Sequence, residues 1–192
     1  METKKEIRKE IIQKRDALSF HEVEQKSKLI TSSLLNTPEY RESEYILLYS
    51  AFRNEVRTNA IFEDAIAKGK QVYYPKIFGD IMEFYKVTSM SELHPGCMGI
   101  LEPDENSLKR FIYKKQDNGL VITPGVAFDP NGNRIGYGKG FYDKYLTNKR
   151  ILSVIALAYS LQIVDNIPSE ANDIKMDKII TDQLILANMR IS

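Results

Sequence analysis

No tryptophan, one cysteine and two histidines occur in the 192 residues of this chain, and each scarcity removes a class of chemistry. Cys97 stands alone, which excludes an internal disulfide and a cysteine-rich zinc site and suits a reducing compartment. His21 and His94 are far apart and each sits beside loop-like residues, so a histidine triad or a histidine zinc site is not expected. No apolar run approaches the length that crosses a bilayer. The opening Met1-Glu-Thr-Lys-Lys-Glu-Ile-Arg-Lys-Glu10 is charged and lacks the apolar stretch of a leader or anchor. An excess of one charge is missing too: 27 Lys+Arg face 26 Asp+Glu, a net charge of +1. That balance gives no overall field for nucleic acid or an anionic membrane. The expectation is a cytoplasmic monomer with neither of those partners, whose chemistry rests on carboxylates, locally placed cations and a bound metal.

The most informative stretch is Pro124-Gly-Val-Ala-Phe-Asp-Pro-Asn-Gly-Asn-Arg134-Ile-Gly-Tyr-Gly-Lys-Gly-Phe-Tyr-Asp143. Gly136, Gly138 and Gly140 alternate with larger residues, and glycine alone takes positive φ freely and lets a backbone press against a bulky ligand. Such a turn aims several N–H groups at one anion. Phe141-Tyr-Asp-Lys-Tyr-Leu146 reads as a helix, whose N-terminal partial charge adds to the attraction for phosphate. Arg134, Lys139 and Asp143 crowd the same turn. Generic motifs do not describe it: Gly138-Lys139 is followed by Gly140 where a P-loop has Ser or Thr. The spacing Gly-x-Gly-x-Gly, late in the chain, is not the dinucleotide pattern either. A plain strand-to-helix turn is the competing reading of the glycines alone.

Residues 3 to 18 carry Ile7, Ile11, Ile12 and Leu18 among charges, a helix with a narrow apolar stripe. Ser19 with Glu22 is a capping-box pair, starting a second helix through Val23, Ile30 and Leu34 before Pro38. Residues 1 to 37 are therefore expected to form a helical hairpin packed on the rest. Tyr45-Ile-Leu-Leu-Tyr49 reads as a strand, Thr58 as the N-cap of a helix over Asn59–Lys68 closed by Gly69, and Val72-Tyr-Tyr-Pro75 as a second strand. Strand, helix and strand within about thirty residues make a βαβ unit. Further strands are expected at Ile81–Val87, Gly119–Thr123, Leu152–Tyr159 and Lys178–Thr181. Their near-continuous apolar runs imply a sheet covered on both faces. The expected fold is α/β: one domain over residues 1 to 192, a three-layer α/β/α sandwich with a mostly parallel sheet. Ligands of such sheets sit beyond the carboxyl ends of strands, which singles out the loops after Tyr49, Thr123 and Tyr159.

Taken in order, Lys4-x-x-x-Arg8 with Arg15, Tyr49-Ser-Ala-Phe-Arg-Asn-Glu55-Val-Arg-Thr58, Tyr74-Pro-Lys76, Met82-Glu-Phe84, Gly99-Ile-Leu-Glu-Pro103, the glycine block and Ile167-Pro-x-x-x-x-Asp173 resemble the 5-formyltetrahydrofolate cyclo-ligases over nearly the whole length. That resemblance implies an enzyme using ATP and Mg2+ to convert 5-formyltetrahydrofolate to 5,10-methenyltetrahydrofolate with release of ADP and phosphate. Chemistry agrees that ATP is needed, because an N-formyl group is a resonance-stabilised amide whose oxygen must be activated before N10 can displace it. Phosphoryl transfer needs in-line positioning and charge neutralisation. By resemblance, Lys4 and Arg8 bind ATP phosphates; as i and i+4 residues they leave one helix face together. Arg134, Gly136, Tyr137, Gly138, Lys139, Gly140 and Tyr142 form the nucleotide loop, with Arg134, Lys139 and Tyr142 acting in catalysis. Asp143 and Asp173 are the metal candidates, with Asp177 competing. Ser50 and Glu55 contact the folate, polyglutamylated or not. Phe52, Met82, Phe84 and Tyr142 are candidates to line a folate slot, although apolar residues at alternating strand positions are usually core.

This sequence departs from the family pattern at Lys139, where glycine is common, at Phe141, where tyrosine is common, and at Asn172, which replaces a frequent histidine. Two other classes remain: a sensor of a phosphorylated ligand without turnover, and an interaction module docking an acidic partner through Lys4, Arg8 and Arg15.

Overall fold

The computed structural model describes residues 3–104, 109–114, 118–147, 152–170 and 173–187. Its helices are α1 (Lys4–Asp16), α2 (Phe20–Leu35), α3 (Pro38–Glu42), α4 (Asn59–Ala67) and α5 (Phe141–Leu146). Its strands are β1 (Tyr45–Leu47), β2 (Gln71–Phe78), β3 (Ile81–Val87), β4 (Leu93–Pro95), β5 (Leu101–Pro103), β6 (Gly119–Thr123), β7 (Ala127–Phe128), β8 (Arg134–Ile135), β9 (Ser153–Leu157), β10 (Lys178–Ile180) and β11 (Ile185–Ala187).

Two capping boxes start the chain. Thr3 with Glu6 opens α1 and Ser19 with Glu22 opens α2, each satisfying orphan N–H groups of a first turn. Pro38 begins α3, where its missing N–H costs nothing. Thr58 occupies the N-cap position of α4, but its hydroxyl donates to the Tyr49 carbonyl at 2.8 Å instead of capping the helix. The expected cap is thus a tie between α4 and the end of the first strand.

A seven-stranded sheet runs in the order β11-β10-β9-β6-β1-β2-β3. The five inner strands pair in parallel, and β3 and β11 close the edges antiparallel. Alternation along each inner strand divides the core in two. Ile46, Val72, Leu120, Ile122, Ile155 and Ile180 face Val23, Ile30 and Leu34 of α2, Tyr40 of α3 and Ile61 and Phe62 of α4. Leu47, Tyr73, Val121, Val154, Ala156 and Ile179 face Tyr145 and Leu146 of α5 with Met82, Phe84 and Phe111. Side chains buried on both faces are why the strands read as unbroken apolar runs. Met82 and Phe84 therefore belong to the core.

The first two helices are consecutive, yet they do not share one apolar cluster. Ile7 and Ile11 of α1 pack with Val126, Ala127, Ile135 and Ile167, whereas α2 covers the sheet. The hairpin expected over residues 1 to 37 is better described as one helix of the sandwich preceded by one dedicated to the glycine block.

Candidate functional site

From β1 the chain winds through α4 to β2 at one side; from β6 it winds through β9 to β10 at the other. Neighbouring β1 and β6 are thus the point where winding reverses, which in such sheets is the place of the ligand crevice at the carboxyl edge. The sequence places its Glu55 segment in one loop and its glycine block in the other.

Within the glycine block, Asp129 is fully buried and acts as an internal template. Its Oδ1 accepts from the Asn131 and Asn133 backbone N–H groups at 2.9 and 3.0 Å, and its Oδ2 from the Asn133 amide at 2.8 Å and the Ile167 N–H at 2.9 Å. This knots the turn between β7 and β8 and fixes where Arg134 emerges. The Arg134 guanidinium donates to Asp143 Oδ2 at 3.0 Å and lies 5.5 Å from the centre of the Tyr142 ring, while its buried Nε has no partner. Burial raises the Tyr142 phenol pKa, with Arg134 pulling the other way. Gly138 and Gly140 take φ of +101° and +66°, conformations strained for any other residue. Lys139 between them is exposed. Because α5 has six residues, cations and turn N–H groups outweigh its dipole as sources of anion attraction.

α1 lies along this turn. Arg8 Nε donates to the Gly136 carbonyl at 2.9 Å, and a Cβ placed on Gly138 would lie 3.9 Å from the Arg8 guanidinium. Lys4 Nζ pairs with Asp173 at 2.8 Å and Glu170 at 3.2 Å. About two turns beyond Arg8, Arg15 is 1% exposed and donates to the Tyr137 hydroxyl at 2.7 Å. That hydroxyl in turn donates to Glu55 Oε1 at 2.6 Å, bridging the two crevice loops.

Glu55 is 5% exposed, and its other oxygen accepts the Phe52 N–H at 2.8 Å. Burial pushes its carboxyl up from the ordinary range, opposed by the Tyr137 hydroxyl, the Phe52 N–H, Arg15 and Arg57. Neither neighbouring arginine pairs with it directly: Arg53 reaches Asp16 and Arg57 reaches Glu24. Ser50 donates to the Leu101 carbonyl at 2.6 Å, bringing the β4–β5 hairpin to the mouth of the crevice.

Asp143 and Asp173 are brought near each other, since Asp143 Oδ1 accepts the N–H of Ile174, the residue after Asp173. Burial works against the Asp173 carboxylate, but Lys4 and the Glu170 N–H prevail and lower its pKa. Asp177 accepts the Val154 N–H at 2.8 Å at the start of β9, so it sits at the amino edge, away from the crevice. Asn172 lies outside the described residues. Among those described, no group of three or more His, Cys, Asp or Glu side chains could cage a metal; His21 and His94 are both exposed. Two carboxylates beside cations fit an ion such as Mg2+, which keeps waters and shares phosphate oxygens.

Two residues the sequence did not single out organise the site. Asp129 is one, and its Asp-Pro-Asn-Gly-Asn run is a turn signal that marks it. Gln162 is the other: buried after β9, it donates to the Gly125 and Val126 carbonyls at 2.9 and 3.0 Å and accepts the Tyr159 N–H at 2.8 Å. Two open surface clefts lie elsewhere. One, of about 410 Å³, separates α1 from residues Leu161 to Asn166, and another, of about 670 Å³, separates α2 from α4. Neither gathers the cations and carboxylates described above, which lie among interlocked side chains.

A cation-rich glycine turn where the winding of a mostly parallel sheet reverses defines the class as an α/β protein. Comparison with known proteins narrows this. The family model described as the 5-formyltetrahydrofolate cyclo-ligase family matches residues 1–182. A mouse 5-formyltetrahydrofolate cyclo-ligase is 31% identical over 189 residues, with 92% of each chain covered. The solved 5,10-methenyltetrahydrofolate synthetase of Aquifex aeolicus superposes with a TM-score of 0.83 at 34% identity, covering 97% of this chain and 94% of its own. The Mycoplasma pneumoniae synthetase gives 0.71 at 28% identity, covering 93% and 98%. This chain belongs to the 5-formyltetrahydrofolate cyclo-ligase family, and is a ligase.

Proposed function

We propose that the protein converts 5-formyltetrahydrofolate to 5,10-methenyltetrahydrofolate at the expense of ATP, in the cytoplasm, as a monomer and with Mg2+ bound. The observation that carries the reading is the convergence of Arg8 and Arg134 on the turn in which Gly138 and Gly140 take positive φ, beside the Asp173 that Lys4 holds. An arginine whose buried Nε lacks a partner has donor capacity left for a phosphate, and a guanidinium suits forked contacts to one.

Lys4, Arg8, Arg134, Lys139 and the N–H groups of Gly136 to Gly140 hold the triphosphate, with Tyr137 and Tyr142 as walls. Asp143 and Asp173 would hold Mg2+, which supplies charge neutralisation on the phosphate oxygens. Ser50 and Glu55 anchor the folate, the Glu55 carboxylate accepting from N–H groups of the pterin. The formyl oxygen forms a bond to the γ-phosphorus as the bond to the ADP oxygen breaks; Arg134 and Lys139 stabilise the charge spread over the transferring group. N10 then adds to the formyl carbon and loses its proton, and the C–O bond breaks to release phosphate. In the ground state Arg134 is paired to Asp143, so nucleotide and metal must divide that pair between them.

The test combines purified protein, Mg-ATP and 5-formyltetrahydrofolate and follows methenyl product and ADP together. Equal appearance of both is expected. ATP consumption at background with the folate present overturns the proposal, and tight nucleotide binding in that case points to a sensor.

A further inference from the structure

Arg15 presents an anomaly. Its guanidinium is 1% exposed, yet its Nε and one terminal nitrogen have no hydrogen-bond partner. Its returns are the Tyr137 hydroxyl at 2.7 Å, the face of that ring at 5.7 Å and the Glu55 carboxylate at 3.9 Å. Buried ion pairs with unsatisfied donors are poor stabilisers, and apolar side chains of like size serve packing as well or better. A cation kept in such a place points to a role in the charge state of its neighbour.

We propose that Arg15 is a positioning residue for the site: it holds Glu55 ionised and in place at the crevice, directly by charge and indirectly by orienting the Tyr137 hydroxyl. The inference deepens the reading of Glu55 as a folate contact and rests on it. Around Glu55, α1 contributes Arg15, the glycine turn and α5 contribute Tyr137 and Tyr142, its own loop contributes Arg57 and Tyr49, and the segment after β9 contributes Tyr159. Arg15 and Arg57 are the cations in this set, and Arg57 turns its side chain to Glu24. Arg15 is the one whose guanidinium reaches both Glu55 and its tyrosine partner. The geometry around it is fixed from outside, since the Asn54 amide donates to the carbonyls of Arg15 and Leu18 at 3.3 and 2.9 Å, fastening the end of α1 to the Glu55 loop.

The sign follows directly. Without Arg15, burial acts unopposed by the nearest cation and the Glu55 carboxyl protonates at higher pH. A protonated Glu55 loses acceptor capacity, so without Arg15 folate affinity weakens at a higher pH than in wild type.

Carbon-13 labelling of glutamate carboxyls, with the Glu55 resonance assigned by its loss in Glu55→Gln, reads the titration without reference to activity. Expected is an upward shift of at least about one pH unit in Arg15→Met, tenfold in the proton equilibrium, with Arg15→Lys recovering most of it. In turnover, the rise of KM for 5-formyltetrahydrofolate toward acid pH should begin about one pH unit higher in Arg15→Met than in wild type, following that same shift, while KM for ATP stays nearly constant. An unmoved Glu55 titration, or a rise in both KM values without pH dependence, overturns the proposal. Should Arg15→Met fail to fold, the pair Arg15→Met with Glu55→Gln, which leaves no buried charge, is expected to fold; its failure would mean that Arg15 serves packing, and the proposal falls. Absent turnover in the wild-type protein removes the folate reading, while the carboxyl titration still decides whether Arg15 sets the charge of Glu55.

Discussion

Replacing Asp129 by alanine should damage the site from a distance. The carboxylate touches none of the cations proposed to hold nucleotide, yet it accepts three backbone N–H groups and one amide, all between 2.8 and 3.0 Å, at a position with no exposure. Leaving a buried donor without a partner costs about 1–3 kcal/mol each. The four do not add in full, because Pro130 and Asn131 are exposed and water can enter beside them. A net loss of about 3–4 kcal/mol is expected, large for a single substitution. At ~2–4 °C per kcal/mol for a chain of this size, Tm should fall by roughly 6–16 °C. Asp129→Asn keeps one acceptor oxygen but turns an amide toward donors, and should cost about half as much. Thermal and urea unfolding of both variants, with nucleotide titration well below Tm, make the assay. The Arg134 exit is set by this knot, so weakened ATP binding should accompany the lost stability. A Tm within about 2 °C of wild type for Asp129→Ala would refute the idea that this carboxylate templates the turn.

Arg134→Ala should lower kcat by about 100-fold, on the order of the ~3 kcal/mol lost with a preorganised charge-stabilising donor; unchanged kcat and KM in steady-state assays would remove Arg134 from the site. Asp143→Asn should raise the magnesium concentration needed for turnover sharply, and an identical metal titration would leave the carboxylate only its contacts with Arg134 and Ile174. Stability should decline below about pH 4. Burial opposes charge on Asp173 and Asp182, but Lys4 with the Glu170 N–H, and Lys26 with the Ser160 N–H, lower both pKa values. Each contribution is therefore complete above the unfolded carboxylate value and lost as pH falls through the folded one. Urea midpoints across pH 2–6 check this, and a Lys4→Met variant should show a shallower decline.

Much of the sheet was legible because burial on both faces leaves long apolar runs, and β3 and β6 begin and end where the sequence places them. The short pairings were not. β7 and β8 contribute two residues each, too few for any periodicity, and they exist because Asp129 folds the chain back between them. β11 has an exposed and half-buried pattern that carries no apolar alternation. In the site, the crowding of charges at a glycine turn drew attention to Arg134 and Asp143 in one dimension, whereas Lys4 and Arg8 came from the family resemblance. The bridge from Arg15 through Tyr137 to Glu55 joins three separate segments, and only the meeting of α1 with both crevice loops reveals it. Asp177 illustrates the converse: its place in sequence, near Asp173, competes for the metal, while its backbone contact with β9 puts it at the other edge of the sheet.

Lys4 meets Asp173 across a separation of 169 residues, and that closure has a consequence for biosynthesis. A nascent chain emerging from the ribosome carries α1 early but cannot complete the proposed nucleotide site until the segment carrying Asp173 follows. Prematurely terminated products should therefore be unable to sequester nucleotide, and ligand rescue of folding must act after translation has nearly finished.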